Sequence, residues 1–254
     1  NNLNYYRPRI SRTEWDLIKE YRDNNGEVRN FLCVGDLHEP FCLEGYLEHC
    51  LNVYHKYNCN GVIMLGDLID LHFSSFHTSD PDGYGAGEEL NRAVDKIKVW
   101  YNHFNNKTVP NGVFVCIGNH DAIIRRKAFE SGISKKWVRD YNEVLECPDW
   151  DFKEYHKIDG VIYTHGTGTS GRNAAVNKAL QFGDSTVQGH IHTESSIIYV
   201  GQGLFGMQIG CGVNRETYSQ NYAKFFPKTY KIACGVVLNN GKLPILEPLT
   251  TLSK

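Results

Sequence analysis

Five short polar pieces constrain this chain more than any other feature: Asp36-Leu37-His38, Gly66-Asp67-Leu68-Ile69-Asp70, Gly118-Asn119-His120-Asp121, His165-Gly166 and Gly189-His190-Ile191-His192. The first four stand at the ends of the apolar runs FLCVG, VIMLG, VFVCIG and VIYT, which read as buried strands. Side chains in that position project from strand ends into the mouth of a sheet, where α/β proteins assemble their chemistry. A fold compatible with the pattern must bring several strand ends to one place.

From Phe31 onward strand and helix signals alternate: strands over 31–35, 62–66, 113–118 and 161–164, and helices over about 43–57, 88–106, parts of 122–145, and 172–182. This is βαβα order. After His192 the segments IIYVGQG, GMQIGCG and YKIACGVVLNNGKLPILEP, with their Gly and Asn-Gly turns, predict antiparallel strands of a second sheet. The expected fold class is α/β, a single domain of two packed sheets flanked by helices. A chain of 254 residues with 41% hydrophobic content is long enough for one such core. Residues 1–29 read as a helical appendage to a domain spanning 30–254. Ser11-Arg12-Thr13-Glu14 matches a capping box before a helical stretch that Asn24-Asn25-Gly26 ends. The appendage is either a binding arm or a helix packed outside the core, and its near balance of acids and bases favours the second.

The formal net charge of -2 neither supports nor excludes a nucleic-acid partner. Eight cysteines are scattered with no C-x2-C pair, several inside strand-like runs, so they are expected to be buried free thiols in a reducing compartment. No run approaches the ~20 apolar residues that span a bilayer, and no charged-then-apolar leader opens the chain. The expectation is a cytoplasmic protein without a membrane partner.

The five pieces hold the donors that two neighbouring divalent cations require: a bridging carboxylate, a mixture of His and oxygen ligands, and open positions for water and substrate. Asp36 and His38, two apart on an extended segment, face the same way and can grip one ion. Asp67 follows a glycine that lets the backbone turn tightly, and is the natural bridge. Asn119 offers a neutral amide oxygen, and His165, His190 and His192 complete the set. Any one piece alone is weak evidence. All five in one chain and one order are not.

In that order the pieces match the signature D-x-H, G-D-x-x-D, G-N-H-[DE], H, G-H-x-H, and the chain resembles the calcineurin-like metallophosphoesterase superfamily over about residues 31–240. The resemblance implies a four-layer sandwich of two mixed sheets between helical layers. It implies two divalent metal ions, manganese first, with iron, zinc, nickel or cobalt as alternatives. It assigns Asp36, His38, Asp67 and His192 to one ion and Asp67, Asn119, His165 and His190 to the other, and makes His120, oriented by Asp70, the catalytic histidine beside them. A water between two Lewis acids loses its proton near neutral pH and can attack phosphorus in line, while His120 protonates or hydrogen-bonds the leaving oxygen. The loop style is also similar to compact phosphoesterases of bacteria and their phages, which implies a host cytoplasm if the chain is phage-encoded.

Phosphoprotein phosphatases of the superfamily resemble G-D-x-x-D-R-G, whereas Leu71-His72 follows Asp70 here. The missing guanidinium fork moves the expectation towards phosphodiesters of nucleotides or nucleic acid. The alternatives are a phosphomonoesterase and, far behind, a non-catalytic scaffold. Arg125 and Arg126 could replace the phosphate contact or be an ordinary solvated helix start. In the long loop 71–87, His72, His77 and the aromatic residues Phe73, Phe76 and Tyr84 could meet substrate, or the aromatics could plug the loop onto the core. The Gly-rich stretch 166–175 lacks a Gly-Lys-Ser/Thr ending and reads as a turn before a helix.

Overall fold

Strands that are apolar on both faces need cover on both sides, and the chain supplies it with two different layers. The computed structural model describes residues 26–76, 80–219 and 229–249. Its first sheet contains β1 (Phe31–Val34), β2 (Gly61–Met64), β3 (Val113–Cys116), β4 (Asp151–Lys153), β10 (Ala233–Leu238) and β11 (Leu243–Pro248), in the order β11-β10-β1-β2-β3-β4. β1 to β4 run parallel, and β10 is antiparallel to both β1 and β11. The second sheet contains β5 (Tyr155–Ile158), β6 (Val161–Thr164), β7 (Ser185–Gln188), β8 (Ser196–Val200) and β9 (Leu204–Gln208), in the order β5-β6-β7-β9-β8. There β6, β7 and β9 are parallel and the two edge strands antiparallel.

Alternation along each central strand divides the interior into two cores. Leu32, Val34, Val62, Met64, Val113 and Val115 point to one face of the first sheet. They meet Tyr46, Cys50 and Val53 of α1 (Tyr46–Lys56) and Ala93, Val94, Ile97 and Trp100 of α2 (Ala86–His103). The three- and four-residue spacing of those helical positions puts them on one stripe. The alternate residues Phe31, Cys33, Ile63, Leu65 and Cys116 turn the other way, onto Val161, Tyr163, Val187, Phe205 and Met207 of the second sheet. On its far face, α5 (Ala174–Phe182) closes the fourth layer, with buried Ala174, Ala175, Val176 and Ala179. The architecture is the α/β four-layer sandwich that the resemblance implies. None of the described helices is long and apolar enough to cross a membrane.

The segment 122–145 resolves into α3 (Ile123–Glu130), a single 3-10 turn over Lys135–Trp137 and the one-turn α4 (Tyr141–Val144). β4, β5 and β7 carry no apolar run that a sequence reading would find. β4 is three residues long, β5 alternates exposed and buried, and β7 is STVQ, whose polar side chains are all buried. The helix predicted within residues 1–25 lies outside the described residues. All eight cysteines are free, and Cys42 alone is more than marginally accessible.

α5 lies so close to β9 that a Cβ on Gly206 would sit 2.3 Å from the Val176 backbone nitrogen. Gly206→Ala should therefore destabilise the fold by about 1–3 kcal/mol, read as a lower urea midpoint at unchanged slope.

Candidate metal centre

All five polar pieces follow parallel strands: residues 36–38 follow β1, 67–70 follow β2, 118–121 follow β3, 165 follows β6, and 190–192 follow β7. The loops are stitched together by main-chain bonds. Leu37 N–H and His38 N–H both donate to the Asp67 carbonyl at 3.0 and 2.9 Å, and Glu39 N–H donates to that of Leu68 at 2.9 Å. His38, Asp67 and His190 have φ of 50°, 47° and 71°, the left-handed region that non-glycine residues adopt at a cost and that concentrates at functional sites. Two glycines are required by close approach. A Cβ on Gly118 would fall 2.1 Å from Asp67 Oδ1, and one on Gly189 would fall 2.3 Å from Asp36 Oδ1.

The predicted ligands form two groups whose donor atoms lie within 4.8 Å of one another: Asp36, His38 and His192, and Asp67, His165 and His190. Asp67 lies between them, with Oδ2 3.2 Å from His165 Nε2 and 3.5 Å from His38 Nε2. Asn119 Oδ1 is 3.0 Å from His165 Nε2, so the amide joins the second group. The carboxylates are held from behind by loop amides. His190 N–H donates to both oxygens of Asp36 at 3.1 and 3.0 Å, and His120 N–H donates to Asp67 Oδ1 at 2.8 Å.

The ring nitrogens are sorted in the same way. His165 Nδ1 is held on the Leu65 carbonyl at 2.8 Å, which turns Nε2 inward. His38 Nδ1 lies 2.5 Å from Asp70 Oδ1, which leaves Nε2 buried and without a hydrogen-bond partner. Metal-ligating histidines are oriented by carboxylates or carbonyls in this manner. His165 Nε2 and His190 Nδ1 are 3.2 Å apart, a separation that two lone pairs tolerate only with a proton or cation between them. The donor set of imidazole, carboxylate and amide oxygen, with an orphaned inward nitrogen, fits divalent cations.

Asp70 differs from its sequence-derived role. Its carboxylate is on His38, and it is its main-chain carbonyl that meets His120 Nδ1, at 2.5 Å, with the carboxylate 3.8 Å away. His120 packs edge-on to His38, with ring centroids 4.4 Å apart, and its side chain is 19% exposed against 1% for His38. It therefore opens to solvent where the other ring does not.

Burial by itself would favour the neutral forms throughout, and at Asp36, Asp67, His38 and His165 the mutual charges override it. His165 and His192 hold Asp36 below its ordinary range, and His165 and His120 hold Asp67 well below it. Conversely, burial is outweighed at His38 by Asp67 and Asp70, which raise its pKa well above normal, and at His165 by Asp67 and Asp36, which raise it to about 9. Burial, then its neighbour His165, lowers His190.

Asp121 received no role from the sequence although it ends the Gly118-Asn119-His120 piece. It is buried, accepts from Leu68 N–H and Gly118 N–H at 3.0 and 2.9 Å, and so ties the second and third loops together. Burial, followed by the Asp67 charge, raises its pKa to about 6. Tyr230, edge-on to His192 at 5.0 Å, was likewise unsignalled, because nothing local distinguishes it from the other tyrosines.

The described substrate candidates engage other partners. His72 is buried, and its Nε2 accepts from Asp80 N–H at 3.1 Å. Arg125 pairs with Asp140 at 3.0 Å and lies over the Tyr141 ring, while Arg126 lies over Phe76. His77 lies outside the described residues. Of the loop aromatics, Tyr84 stacks on Phe41 at 6.3 Å and meets Tyr218 edge-on, the plug arrangement, whereas Phe73 and Phe76 are exposed. The Gly-rich stretch after His165 is a turn leading into α5.

A family model described as calcineurin-like phosphoesterase matches residues 29–194. No curated protein matches the chain. Among solved structures, an archaeal phosphodiesterase is similar at 17% identity and a TM-score of 0.45, covering 87% of this chain and 99% of that one. Vacuolar protein sorting 29 from Cryptosporidium parvum is similar at 11% identity and 0.47, covering 88% and 99%. A nuclease from Pseudomonas putida is similar at 13% identity and 0.40, covering 86% of each chain.

With no cation bound, the His165 proton contributes stability that is fully present below the unfolded pKa of about 6.5 and is lost as pH rises through about 9. A cation bound through His165 would have to displace that proton at neutral pH. Metal affinity should thus climb by up to about tenfold per pH unit between pH 6.5 and 9 for each proton displaced, and calorimetric titrations in buffers of different ionisation enthalpy should register proton release.

Proposed function

The chain belongs to the calcineurin-like phosphoesterase family, and from that premise we propose that this metal-dependent phosphoester hydrolase is a phosphodiesterase acting on nucleotides or nucleic acid. The reading treats residues 30–254 as the catalytic domain. It takes two divalent ions, manganese first, as the cofactor. Asp36, His38, Asp67 and His192 would hold one, and Asp67, Asn119, His165 and His190 the other. The eight free, largely buried thiols favour a reducing compartment such as the cytoplasm.

The observation that carries the diester preference is the absence of a guanidinium clamp at the expected places. Leu71, where phosphoprotein phosphatases resemble an Arg, is only 8% exposed and belongs to the core, and Arg125 is engaged by Asp140 and Tyr141. A monoester dianion brings a second charge that such a clamp neutralises, whereas a diester brings one.

When bound, the cations would supply Lewis-acid neutralisation of phosphoryl charge and a water acidic enough to ionise near pH 7. The protein's own groups do the remainder. With Nδ1 directed at the Asp70 carbonyl, His120 presents Nε2 outward as the atom that donates a proton to the leaving oxygen. Asp70, bonded through its carboxylate to His38, keeps Nε2 of that ring aimed at a cation. Asp121 holds the loops that carry Asp67 and His120 in register.

The manganese-loaded protein should cleave bis-p-nitrophenyl phosphate faster than p-nitrophenyl phosphate. The reverse order would assign a phosphomonoesterase. Asp67→Asn should abolish metal-dependent turnover, whereas His120→Asn should keep its full metal content and lose about 10²–10⁴-fold in kcat, as removal of a general acid does. Loss of metal from the His120 variant would place that ring among the ligands instead.

A further inference from the structure

Between β3 and β4 the chain leaves the sandwich for a segment, residues 123–139, unlike the rest of the surface. It holds six cations, Arg125, Arg126, Lys127, Lys135, Lys136 and Arg139, against the single carboxylate Glu130, in a chain whose formal net charge is -2. A solvated charged helix would account for the cations alone. It does not account for the large apolar side chains set among them in full solvent: Phe129 is 84% and Trp137 85% exposed, with Ile124 and Ile133 also accessible. Desolvating such side chains is favourable, so their exposure beside unneutralised cations calls for an occupant that is both anionic and flat-faced.

From this we infer that residues 124–139 form a docking platform for single-stranded nucleic acid, with Trp137 and Phe129 as stacking surfaces for bases and Lys135, Lys136 and Arg139 as phosphate contacts. Lys135, Lys136 and Arg139 make no ion pair with any described residue, so they are available to phosphates. They line, with Arg125 and Trp137, a cleft of about 490 Å³. The acids of that cleft, Asp140 and Glu143, are engaged locally: Asp140 pairs with Arg125, and the two form the capping box of α4. Trp137 and Arg139 also border a second cavity of about 500 Å³, mainly apolar, whose wall includes Ile69, Leu71 and Asp121. Those residues flank Asp70 and His120, so the platform runs continuously to the loops of the metal centre. The link at the other end is short, since Ile123 N–H donates to the His120 carbonyl at 3.0 Å as α3 begins.

A single strand fits better than a duplex because only unpaired bases expose π-faces for Trp137 and Phe129 to stack on. An anionic lipid surface shares the charge but offers no flat rings, and an acidic protein segment offers neither regular phosphates nor bases. The inference rests on the phosphodiesterase reading and names the substrate strand for it.

The test is fluorescence anisotropy of a labelled oligothymidine of about 15 nucleotides, a length within the footprint of known single-strand sites. It is titrated with the 254-residue chain in the presence of a chelator so that the strand stays intact. Trp137→Ala should weaken binding by about fivefold or more, as expected for loss of one stacked base. Lys135→Ala with Lys136→Ala should reduce the slope of log affinity against log salt by about 1.4. Lys242→Ala, at a remote hairpin, should change neither. Unchanged affinity in the platform variants, equal binding of a duplex of the same length, or binding to phosphatidylserine vesicles without binding to the strand would each overturn the platform. Turnover of bis-p-nitrophenyl phosphate by the manganese-loaded wild-type chain reports separately on the phosphodiesterase reading, because the binding measurement needs no hydrolysis.

Discussion

The structure depends on neutralising two carboxylates that it buries almost completely. Asp36 and Asp67 are withdrawn from solvent at the junction of five loops, and an isolated carboxylate taken from water costs several kcal/mol. The cost is offset only by groups from other strand ends: the His190 amide and the His192 ring for Asp36, and the His120 amide and the His165 ring for Asp67. No single loop can form its part of the centre alone. This interdependence explains why the backbone accepts left-handed residues at His38, Asp67 and His190, and why the two positions nearest the carboxylates have no side chain.

The same constraint orders the chemistry. Each ring is pinned through one nitrogen so that the other is committed: His165 by the Leu65 carbonyl, His38 by the Asp70 carboxylate, and His120 by the Asp70 carbonyl. One residue thus positions two histidines with different duties, one directed at the buried charges and the other at solvent. Asp121 works at one remove, since its contacts are to backbone amides of the neighbouring loops. Its carboxylate is a fastening for the loops that carry Asp67 and His120.

The exterior follows another rule. Where the two sheets and the helical layers meet, apolar side chains are sealed on both sides, and Tyr84 of the 71–84 loop is plugged against Phe41 together with Tyr218. After Ile123, in residues 124–139, that seal gives way and exposed aromatic rings, Phe129 and Trp137, stand among cations. Polar loops converge at the metal centre because strands deliver them there. The basic segment adjoins that candidate centre because α3 begins at Ile123, whose N–H donates to the His120 carbonyl.

The unbroken apolar runs were enough to specify the parallel core strands β1, β2, β3 and β6, since burial on both faces leaves a continuous apolar stretch, and the covering helices were legible because burial on one side leaves a three- and four-residue period. Spacing likewise made the ligand candidates legible, because residues two apart on an extended segment, or next to a glycine at a strand end, are distinctive without any neighbour. The strands β4, β5 and β7 left no such trace, being short, half-exposed or polar; β4 and β7 are held by pairing with strands distant in the chain, and β5 by its hairpin with β6. Local sequence also cannot tell which atom of Asp70 meets which histidine, that Asp121 fastens two loops, or that Arg125 turns to Asp140 rather than towards the centre. Those outcomes are set by the relative placement of separate loops. A side chain's partner is decided by long-range packing and charge compensation, which a one-dimensional pattern does not contain, whereas its burial and periodicity are local properties that it does.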